Sequence, residues 1–319
     1  IVNKNKNLII TNIPLLELKW VKYFLWFWNI YKKNIIYYDK IIASDLYSLF
    51  PLSFNYNKRN IIYDSREIYT ELAIHKNNRI KNYILSIIEK TSLNKVNVIL
   101  TTANSDQDYL KKKYIQYKNI QYYNIYNYPY SFENKKNDFL KKKFNISYEK
   151  KILLYQGVIQ KNRGITQLIK IIKNTENIYG VIVGYGEYKK YFKNIINKMG
   201  LSGRILFLGK IPYNQLLQIT SSADIGFALI PEVGISNRFA LPNKIFEYAA
   251  AGIPTLATPL VNMKKAINKY NLGVCIDYSD LDKQINFIVN IQKQNYFNSQ
   301  IHEIQWSSQE KLFNSIINE

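Results

Sequence analysis

Cysteine and histidine are scarce in this chain of 319 residues, which has one cysteine, Cys275, and two histidines. A single cysteine excludes an intrachain disulfide, and so few sulfur and imidazole ligands exclude a thiolate zinc site. The G-x-x-x-x-G-K-[ST] motif of P-loop proteins is also absent. These absences agree with a protein of a reducing cytoplasm, and no signal peptide is visible at the start.

Acidic residues are the other shortage, because 44 Lys and Arg face only 23 Asp and Glu, which gives a net charge of +21. Such a balance favours an anionic partner: a phosphorylated substrate, an anionic membrane face or a nucleic acid. The lysines are spread along the whole chain, and no recognised nucleic-acid-binding motif accompanies them. We therefore predict no nucleic-acid partner, and a general drift of composition remains the simplest account of the charge.

Short apolar segments alternate with helical patterns, and most end at a polar residue or a glycine. This alternation is typical of an α/β protein with doubly wound parallel sheets. A Lys-rich stretch at residues 131–150 divides the pattern and is predicted to be a linker. The predicted strands are 8–14, 40–44, 60–63, 96–100 and 120–125 before it, and 151–156, 180–183, 205–208, 224–229, 255–257 and 274–276 after it.

Residues 15–32 form an aromatic and basic run that contains three of the four tryptophans. The apolar part is too short to span a bilayer. We favour a core helix packed on the sheet. The alternative is an amphipathic helix that lies on a membrane surface, with aromatic and lysine side chains at the headgroups.

Polar residues follow the predicted strands of the first half. In a doubly wound sheet the carboxyl ends of the strands meet at one edge, where ligands bind. Arg66 belongs to the same segments, and the less favoured alternative for it is a structural ion pair with Glu67. The candidate cleft residues on this side are Asp45, Asp64, Glu67 and Asn127.

In the second half, residues 157–164 (GVIQKNRG) join a predicted strand to a helix, with Arg163 just before the last glycine. Backbone N–H groups and a guanidinium in such a loop can hold a diphosphate. Gly184 and Gly186 follow the next strand. On their own they are a weak signal, and a tight turn explains them more simply.

A helix is predicted between Pro242, in its first turn, and Gly252, at which it stops before Pro254. Lys244 and Glu247 share a face near its start, where a cation for phosphate and a carboxylate for sugar hydroxyls would meet. The alternative is an ordinary salt bridge on the surface.

The order of these motifs is more informative than any one of them. G-x5-R-G is followed by V-G-x-G, F-L-G, A-D-I-G and P-N-K-x-F-E-Y-x-A-A-G-x-P-T. This ordered set, over roughly residues 150–278, resembles the donor-binding domain of the retaining, GT-B-fold glycosyltransferases of glycosyltransferase family 4. Segments 64–69 and 127–129 resemble the acceptor domain of the same family more loosely.

The resemblance implies a GT-B architecture, in which two Rossmann-like doubly wound domains face each other across a cleft. It implies an acceptor-side domain at residues 1–135, completed by a C-terminal helix at about 296–319, and a donor-binding domain at 148–295. No Gly-rich loop precedes residue 40, so we also expect that the N-terminal strands of the family are missing here.

Roles for single residues follow from the family's donor site. Arg163 and Lys244 would stabilise the donor diphosphate, and Glu247 would accept hydrogen bonds from the ribose. Arg66 stands where the family has a histidine that helps to hold the transferred sugar. The other donor-binding candidates are Gly157, Gly164, Gly184, Gly186, Ile211, Asn237, Arg238 and Asn243.

Three departures from the family pattern bear on activity. Phe239 replaces the first glutamate of the E-x7-E motif, which leaves Asn237 and Arg238 to contact the sugar. Val158 replaces a second phosphate-binding arginine, and Arg66 replaces the acceptor-side histidine.

The resemblance implies a bacterial retaining glycosyltransferase in surface polysaccharide synthesis. It would move a sugar from a nucleotide-diphosphate sugar to a glycan or polyprenyl-linked acceptor, in the cytoplasm or on the inner face of the membrane. No cofactor and no metal are expected. The alternatives are a non-catalytic GT-B subunit paired with an active transferase, and a nucleotide-sugar epimerase.

Overall fold

The structure, a computed structural model, describes residues 19–32, 38, 40–55, 61–72, 78–130, 136–291 and 296–318. The predicted strand at 8–14 lies outside these residues. So do the start of the aromatic run and residues 131–135 of the predicted linker.

Four parallel strands form the first sheet, in the order β1-β2-β3-β4. They are Ile41–Ala43 (β1), Ile61–Ser65 (β2), Val96–Thr101 (β3) and Gln121–Asn124 (β4). Right-handed crossovers between sequential parallel strands place the connecting helices on one face, where Leu49, Tyr63 and Ile99 form part of the core. The helices of this half are Lys19–Lys32 (α1), Leu46–Asn55 (α2), Arg79–Ser92 (α3) and Asn104–Lys113 (α4).

Six parallel strands form the second sheet, in the order β10-β9-β8-β5-β6-β7. They are Lys151–Gln156 (β5), Ile178–Val183 (β6), Ile205–Gly209 (β7), Ile225–Ala228 (β8), Thr255–Ala257 (β9) and Gly273–Cys275 (β10). The strand order reverses direction between β5 and β8, which is where doubly wound sheets bind ligands. Successive β5 residues contribute to different apolar clusters, Leu153 to one and Leu154 to the other, because both faces of this sheet are covered.

Nine further helices complete the described chain. They are Phe139–Phe144 (α5), Ile165–Lys173 (α6), Lys189–Lys198 (α7), Tyr213–Thr220 (α8), Ile235–Arg238 (α9), Lys244–Ala250 (α10), Val261–Tyr270 (α11), Leu281–Val289 (α12) and Trp306–Asn318 (α13). All ten predicted strands from residue 40 onward are present and parallel, so the predicted α/β architecture with two Rossmann-like parallel sheets is confirmed.

The linker prediction is wrong for residues 136–150. Within that stretch, α5 buries Leu140, which with Ile146 joins the cluster that covers Ile152 of β5. The charged residues that suggested a linker do not take part in this apolar packing. Lys142, for example, forms an exposed ion pair with Asp138. Two apolar residues within a charged run, Leu140 and Ile146, therefore determine the local structure.

The α10 helix begins at Lys244, two residues later than the predicted start at Pro242. Pro242 lies in the turn before it, where its carbonyl accepts a hydrogen bond from the Ile245 N–H at 3.2 Å. The later start leaves Lys244 as the first helical residue.

The C-terminal helix α13 returns to the first sheet. Ile316 packs on Ile62 and Leu100, and the carbonyl of Ile316 accepts a hydrogen bond from Lys40 Nζ at 3.2 Å. At the start of α13, the Trp306 N–H donates to the Pro129 carbonyl at 2.9 Å.

The α1 helix packs chiefly on α2, through ring contacts of Phe27 with Phe50 and Phe54, whereas we had favoured packing on the sheet. Ile30 of α1 does pack against the core cluster of that sheet. Phe24 and Trp28 on its outer side are exposed. None of the described helices has the length and apolarity needed to cross a bilayer.

Candidate functional site

A cleft lies between the two sheets, at the carboxyl ends of their strands. Its volume is about 780 Å³, and residues from both halves line it. The segments after β1 to β4 form one wall, and the segments after β5, β6 and β8 form the other. The loops after β5 and β8 flank the point where the strand order reverses, as expected for a ligand site in this type of sheet.

The glycines of the second half hold these loops against each other. Gly164 has φ +92°, and a Cβ there would lie 1.9 Å from the Leu229 carbonyl oxygen at the end of β8. Gly184 has φ +144°, and its Cβ would lie 1.9 Å from the Gly157 carbonyl oxygen. A Cβ at Gly186 would meet the Ile159 backbone. The close approach that these glycines permit is therefore between loops, and an approach to a nucleotide remains a prediction.

Lys244 is buried under the loop after β5, with only 9% of its surface exposed. Its Nζ lies 4.1 Å from the centre of the Tyr155 ring, and the Tyr155 hydroxyl donates to the Val158 carbonyl at 2.7 Å. Among the described residues, Lys244 has neither a side-chain hydrogen bond nor an ion pair. Burial and then repulsion by Arg163 lower the pKa of Lys244 to about 7, against the attraction of Glu247. The surface salt bridge with Glu247 is thus excluded.

Glu247 is held by a chain of hydrogen bonds to its own sheet. Its Oε2 accepts a hydrogen bond from Gln156 Nε2, and Gln156 Oε1 accepts one from the Thr220 hydroxyl at 2.9 Å. Burial raises the pKa of Glu247, and the Gln156 hydrogen bond and the Lys244 charge oppose this shift. The other carboxylate oxygen has no hydrogen bond to the described residues, and neither Lys244 nor Glu247 is among the residues that line the cleft.

Arg163 is an exposed guanidinium on the wall of the cleft, beside Lys161. It has no hydrogen bond or ion pair to any residue that the structure describes. Val158, at the position of the missing arginine, is also exposed. Arg163 lies near enough to Lys244 for its charge to lower the pKa of Lys244, and neither side chain has an ionic partner among the described residues.

The remaining donor-side candidates differ in position. Asn237 and Asn243 line the cleft, as does Phe239. Arg238 points to Glu232, with 3.8 Å between Nε and Oε1 in an exposed pair. Ile211 packs at the edge of an apolar cluster outside the cleft lining.

On the first-half wall, Asp45, Arg66, Glu67 and Asn127 line the cleft. Asp45 also caps α2, because its Oδ1 accepts hydrogen bonds from the Ser48 N–H at 2.6 Å and the Ser48 hydroxyl at 2.5 Å. Asp64 is absent from the cleft lining. Its Oδ2 pairs with Arg66 Nε at 2.9 Å, so the expected structural ion pair of Arg66 exists with Asp64 and not with Glu67.

Sequence reasoning missed Asp106, a mostly buried acid on the cleft wall. Its Oδ2 accepts a hydrogen bond from the Thr102 hydroxyl at 3.3 Å. Burial raises the pKa of Asp106 to about 7, with a smaller contribution from the charge of Glu67. The rule that strand ends carry ligand residues would have identified it, because it follows β3 by five residues. Glu187 and Gln156 were missed as well.

Among the described residues, no three His, Cys, Asp or Glu side chains are placed to hold a metal ion. Two Asp-x-Asp spacings occur, at 106–108 and 280–282, but both overlap helices. Residues two apart on a helix do not face each other, so neither pair forms a chelating site.

A sequence profile of the glycosyl transferases group 1 family matches residues 136–301, which is just over half of the chain. The chain belongs to this family. An uncharacterized glycosyltransferase of Methanocaldococcus jannaschii is 25% identical over 149 residues, which cover 46% of this chain and 36% of that protein. The matched region thus spans about a third of the relative's length.

Solved structures of glycosyltransferases share the fold of this family member. The HepE structure of Anabaena with UDP and glucose has a TM-score of 0.69 at 14% identity, covering 94% of this chain and 82% of that one. Sucrose-phosphate synthase of Thermosynechococcus elongatus has a TM-score of 0.66 at 14% identity, covering 86% of this chain and 71% of that one. A TarM mutant of S. aureus with fondaparinux, alpha-GlcNAc-glycerol and UDP has a TM-score of 0.65 at 14% identity, covering 87% of this chain and 55% of that one. These likenesses confirm the predicted GT-B fold.

Proposed function

We propose that this chain is a retaining glycosyltransferase that moves a sugar from a nucleotide-diphosphate sugar to a glycan or polyprenyl-linked acceptor. The observation that carries the proposal is the pair of basic residues Arg163 and Lys244 at the edge of the second sheet, which have no ionic partner in the part of the chain that the structure describes. A buried or cleft-facing cation without a partner is unfavourable, and an anion that binds there relieves the penalty. Glu247 lies one helical turn from Lys244, where a nucleoside would carry hydroxyl donors.

The residues present account for the chemistry without a protein nucleophile. The bond between the anomeric carbon and the diphosphate oxygen breaks, and the acceptor oxygen bonds to that carbon on the same face. The acceptor hydroxyl proton passes to the leaving diphosphate. Arg163 and Lys244 would stabilise the charge on that diphosphate, so the protein contributes position and electrostatic stabilisation. No cofactor and no metal belong to this scheme.

The acceptor would bind on the first-half wall, where Asp45, Glu67 and Asp106 offer carboxylates and Asn127 an amide. We assign residues up to about 135 with α13 to an acceptor domain, and 148–295 to a donor domain. A role in bacterial surface polysaccharide synthesis, on the cytoplasmic face of the membrane, fits a lipid-linked acceptor and the net charge of +21.

The test is thermal unfolding with UDP, GDP and ADP and their common sugar conjugates. A ligand that binds only the folded protein at a hundred times its Kd adds roughly 2.7 kcal/mol, which raises the melting temperature by several degrees. We expect a shift with the conjugates of one base, and a loss of that shift in Glu247→Ala. The matched control is Glu176→Ala, which removes an exposed carboxylate of the same half and should keep the shift in melting temperature. No shift with any nucleotide would count against the donor site.

Phe239 supports a second candidate, a non-catalytic subunit that binds a partner transferase. An apolar ring replaces a carboxylate at the cleft wall, so contacts to the transferred sugar are reduced. NMR analysis of donor incubated with the chain separates the possibilities. Slow release of a sugar with retained configuration indicates a transferase, interconversion of donor sugars indicates an epimerase, and unchanged donor indicates a binding subunit.

A further inference from the structure

The α3 helix carries a row of apolar side chains on the side that faces solvent. Ile80, Tyr83, Ile84 and Ile87 are each at least 45% exposed. Their spacing places them on one side of the helix, while Leu85 on the opposite side is buried in the core. A contiguous apolar row of this kind marks an interaction surface.

The neighbouring helices extend this apolar surface. The α2 helix contacts both α1 and α3, and each of the three exposes large apolar side chains. We call this surface the helical face. Its exposed apolar residues are Val21, Phe24, Trp28, Tyr31, Tyr47, Phe54, Ile80, Tyr83, Ile84 and Ile87.

The charge of the helical face has one sign. The α1 and α2 helices contain no acidic residue. The single acid of α3, Glu89, is fully buried and accepts hydrogen bonds from the Tyr63 and Tyr114 hydroxyls. The same helices contain six basic residues, of which Lys32, Arg79 and Lys90 are exposed. The surface is therefore apolar and cationic, with no exposed carboxylate on its three described helices.

We propose that the helical face docks on an anionic lipid bilayer, with α1 and α3 at the level of the headgroups. Exposed Trp and Tyr rings beside Lys and Arg are the composition that interfacial helices use. Anionic lipids supply the negative charge that this surface lacks. A lipid surface also accommodates apolar side chains of different size, whereas a protein partner requires a complementary shape.

The helical face leaves the candidate active site free. The cleft opens at the carboxyl ends of the strands, and none of the exposed apolar residues of α1 and α3 lines it. A docked molecule would therefore hold the cleft beside a membrane that carries the acceptor. This inference deepens the peripheral location that we propose above, but it does not depend on transferase activity.

The experiment is co-sedimentation of the full chain with vesicles. One vesicle contains phosphatidylcholine mixed with phosphatidylglycerol, and the other contains phosphatidylcholine alone. We expect binding to the anionic vesicles that weakens with added salt. The double variant Ile80→Glu with Tyr83→Glu should lower the partition coefficient about tenfold or more, because it removes apolar contact and adds repelled charge.

The matched control is Met199→Glu with Val289→Glu, which introduces two glutamates at exposed apolar positions of the second half. It should bind vesicles as the wild type does. Melting temperatures and nucleotide binding show that both double variants are folded. Nucleotide binding by the wild type tests the proposed function separately, so its failure leaves the vesicle result unaffected.

Three outcomes would overturn the proposal. The wild type could fail to bind anionic vesicles, or both double variants could lose binding equally, which would indicate a general charge effect. Light scattering could instead show a wild-type dimer that only the α3 variant dissociates, with vesicle binding unchanged. The helical face would then be an interface between two copies of the chain.

Discussion

Lys244 combines two properties that rarely occur together in a lysine, since it is buried and has no ionic partner in the described part of the chain. The groups around it oppose each other: Arg163 favours the neutral amine, Glu247 favours the ammonium, and the Tyr155 ring lies against Nζ. Burial is the largest of these influences. Near pH 7 the free protein therefore holds Lys244 in both its neutral and its protonated form, and an anion that binds there favours the protonated form.

The first prediction is that nucleotide-sugar binding takes up a proton at Lys244. With the pKa of Lys244 at about 7 in the free protein, a bound diphosphate raises it, so affinity is level below that pH and falls up to about tenfold per unit above it. Titration calorimetry in buffers of different ionisation enthalpy measures the uptake. A nucleotide sugar serves better than a free nucleotide, because its diphosphate has no terminal phosphate that titrates near pH 6.

Lys244→Met should remove both the proton uptake and the pH dependence. It should also weaken binding by roughly tenfold or more, the value of a charge-assisted hydrogen bond of about 1.5–3 kcal/mol. The control is Lys170→Met, on the exposed side of α6, which should retain the proton uptake, the pH dependence and the affinity of the wild type. An unchanged pH profile in Lys244→Met would show that another group binds the proton.

The sequence located Arg163, Lys244 and Glu247 because these residues lie in motifs with fixed spacing. It did not identify Gln156 as the partner of Glu247, because 91 positions separate the two residues and only the sheet brings them together. It also left open a surface salt bridge between Lys244 and Glu247, although Lys244 and its neighbour Ile245 are buried. Burial of a charged residue depends on the elements that cover it, which periodicity alone does not give.

Tyr248 fixes α10 to the strands at the point where the strand order reverses. Its hydroxyl donates to the Leu154 carbonyl at 2.9 Å and accepts from the Gln156 N–H at 3.2 Å. A Cβ on Gly226 of β8 would lie 2.2 Å from the Tyr248 ring, so the glycine makes room for it. The position of Lys244 and Glu247 thus depends on a tyrosine that contacts no ligand.

Tyr248→Phe should lower the free energy of unfolding by about 1–3 kcal/mol, because it leaves the buried Gln156 N–H without its acceptor. Urea denaturation measures the difference. Tyr179→Phe, in β6 of the same sheet, is the matched control, since its hydroxyl has no partner among the described residues. It should change stability by less than about 0.5 kcal/mol. Equal losses in the two variants would contradict the bridging role.

Strands were predictable here because runs of Ile, Val, Leu and Tyr stop at glycine or polar residues, as in β5 and β6. The α5 helix was not predictable in the same way, because lysines outnumber the two apolar residues that determine the packing of this segment, Leu140 and Ile146. The aromatic run of α1 gave the helix correctly but not its environment. A helix with apolar residues around most of its circumference fits a core or an interface equally well.

Within the part of the chain that the structure describes, a side-chain hydrogen bond joins α11 of the second half to α4 of the first. Asn262, on α11 of the second half, uses both amide protons: Nδ2 lies 2.5 Å from the Ser105 hydroxyl and 2.6 Å from the Phe239 carbonyl. Ser105 lies in the first turn of α4, and Phe239 lies on the cleft wall. The buried amide of Asn262 therefore connects the first half to the loop that precedes α10.

Asn262→Ala should open the cleft. It removes the hydrogen bond to Ser105 that joins the two halves, a loss of about 0.5–1.5 kcal/mol for the closed arrangement, whereas the hydrogen bond to Phe239 lies within the second half. A free-energy change of that size shifts a two-state equilibrium by roughly two- to tenfold. Small-angle X-ray scattering without nucleotide should give a larger radius of gyration for Asn262→Ala than for the wild type, and Ser105→Ala, which removes the same hydrogen bond, should give a similar value.

Asn268→Ala is the control for this contact, because Asn268 is exposed on the same helix. It should leave the radius of gyration unchanged. A nucleotide sugar that binds both walls should restore the wild-type radius in Asn262→Ala, at a weaker apparent affinity, because part of the binding energy is used to close the cleft. If Asn262→Ala scatters as the wild type does, the α13 contacts to the first sheet alone hold the two halves together.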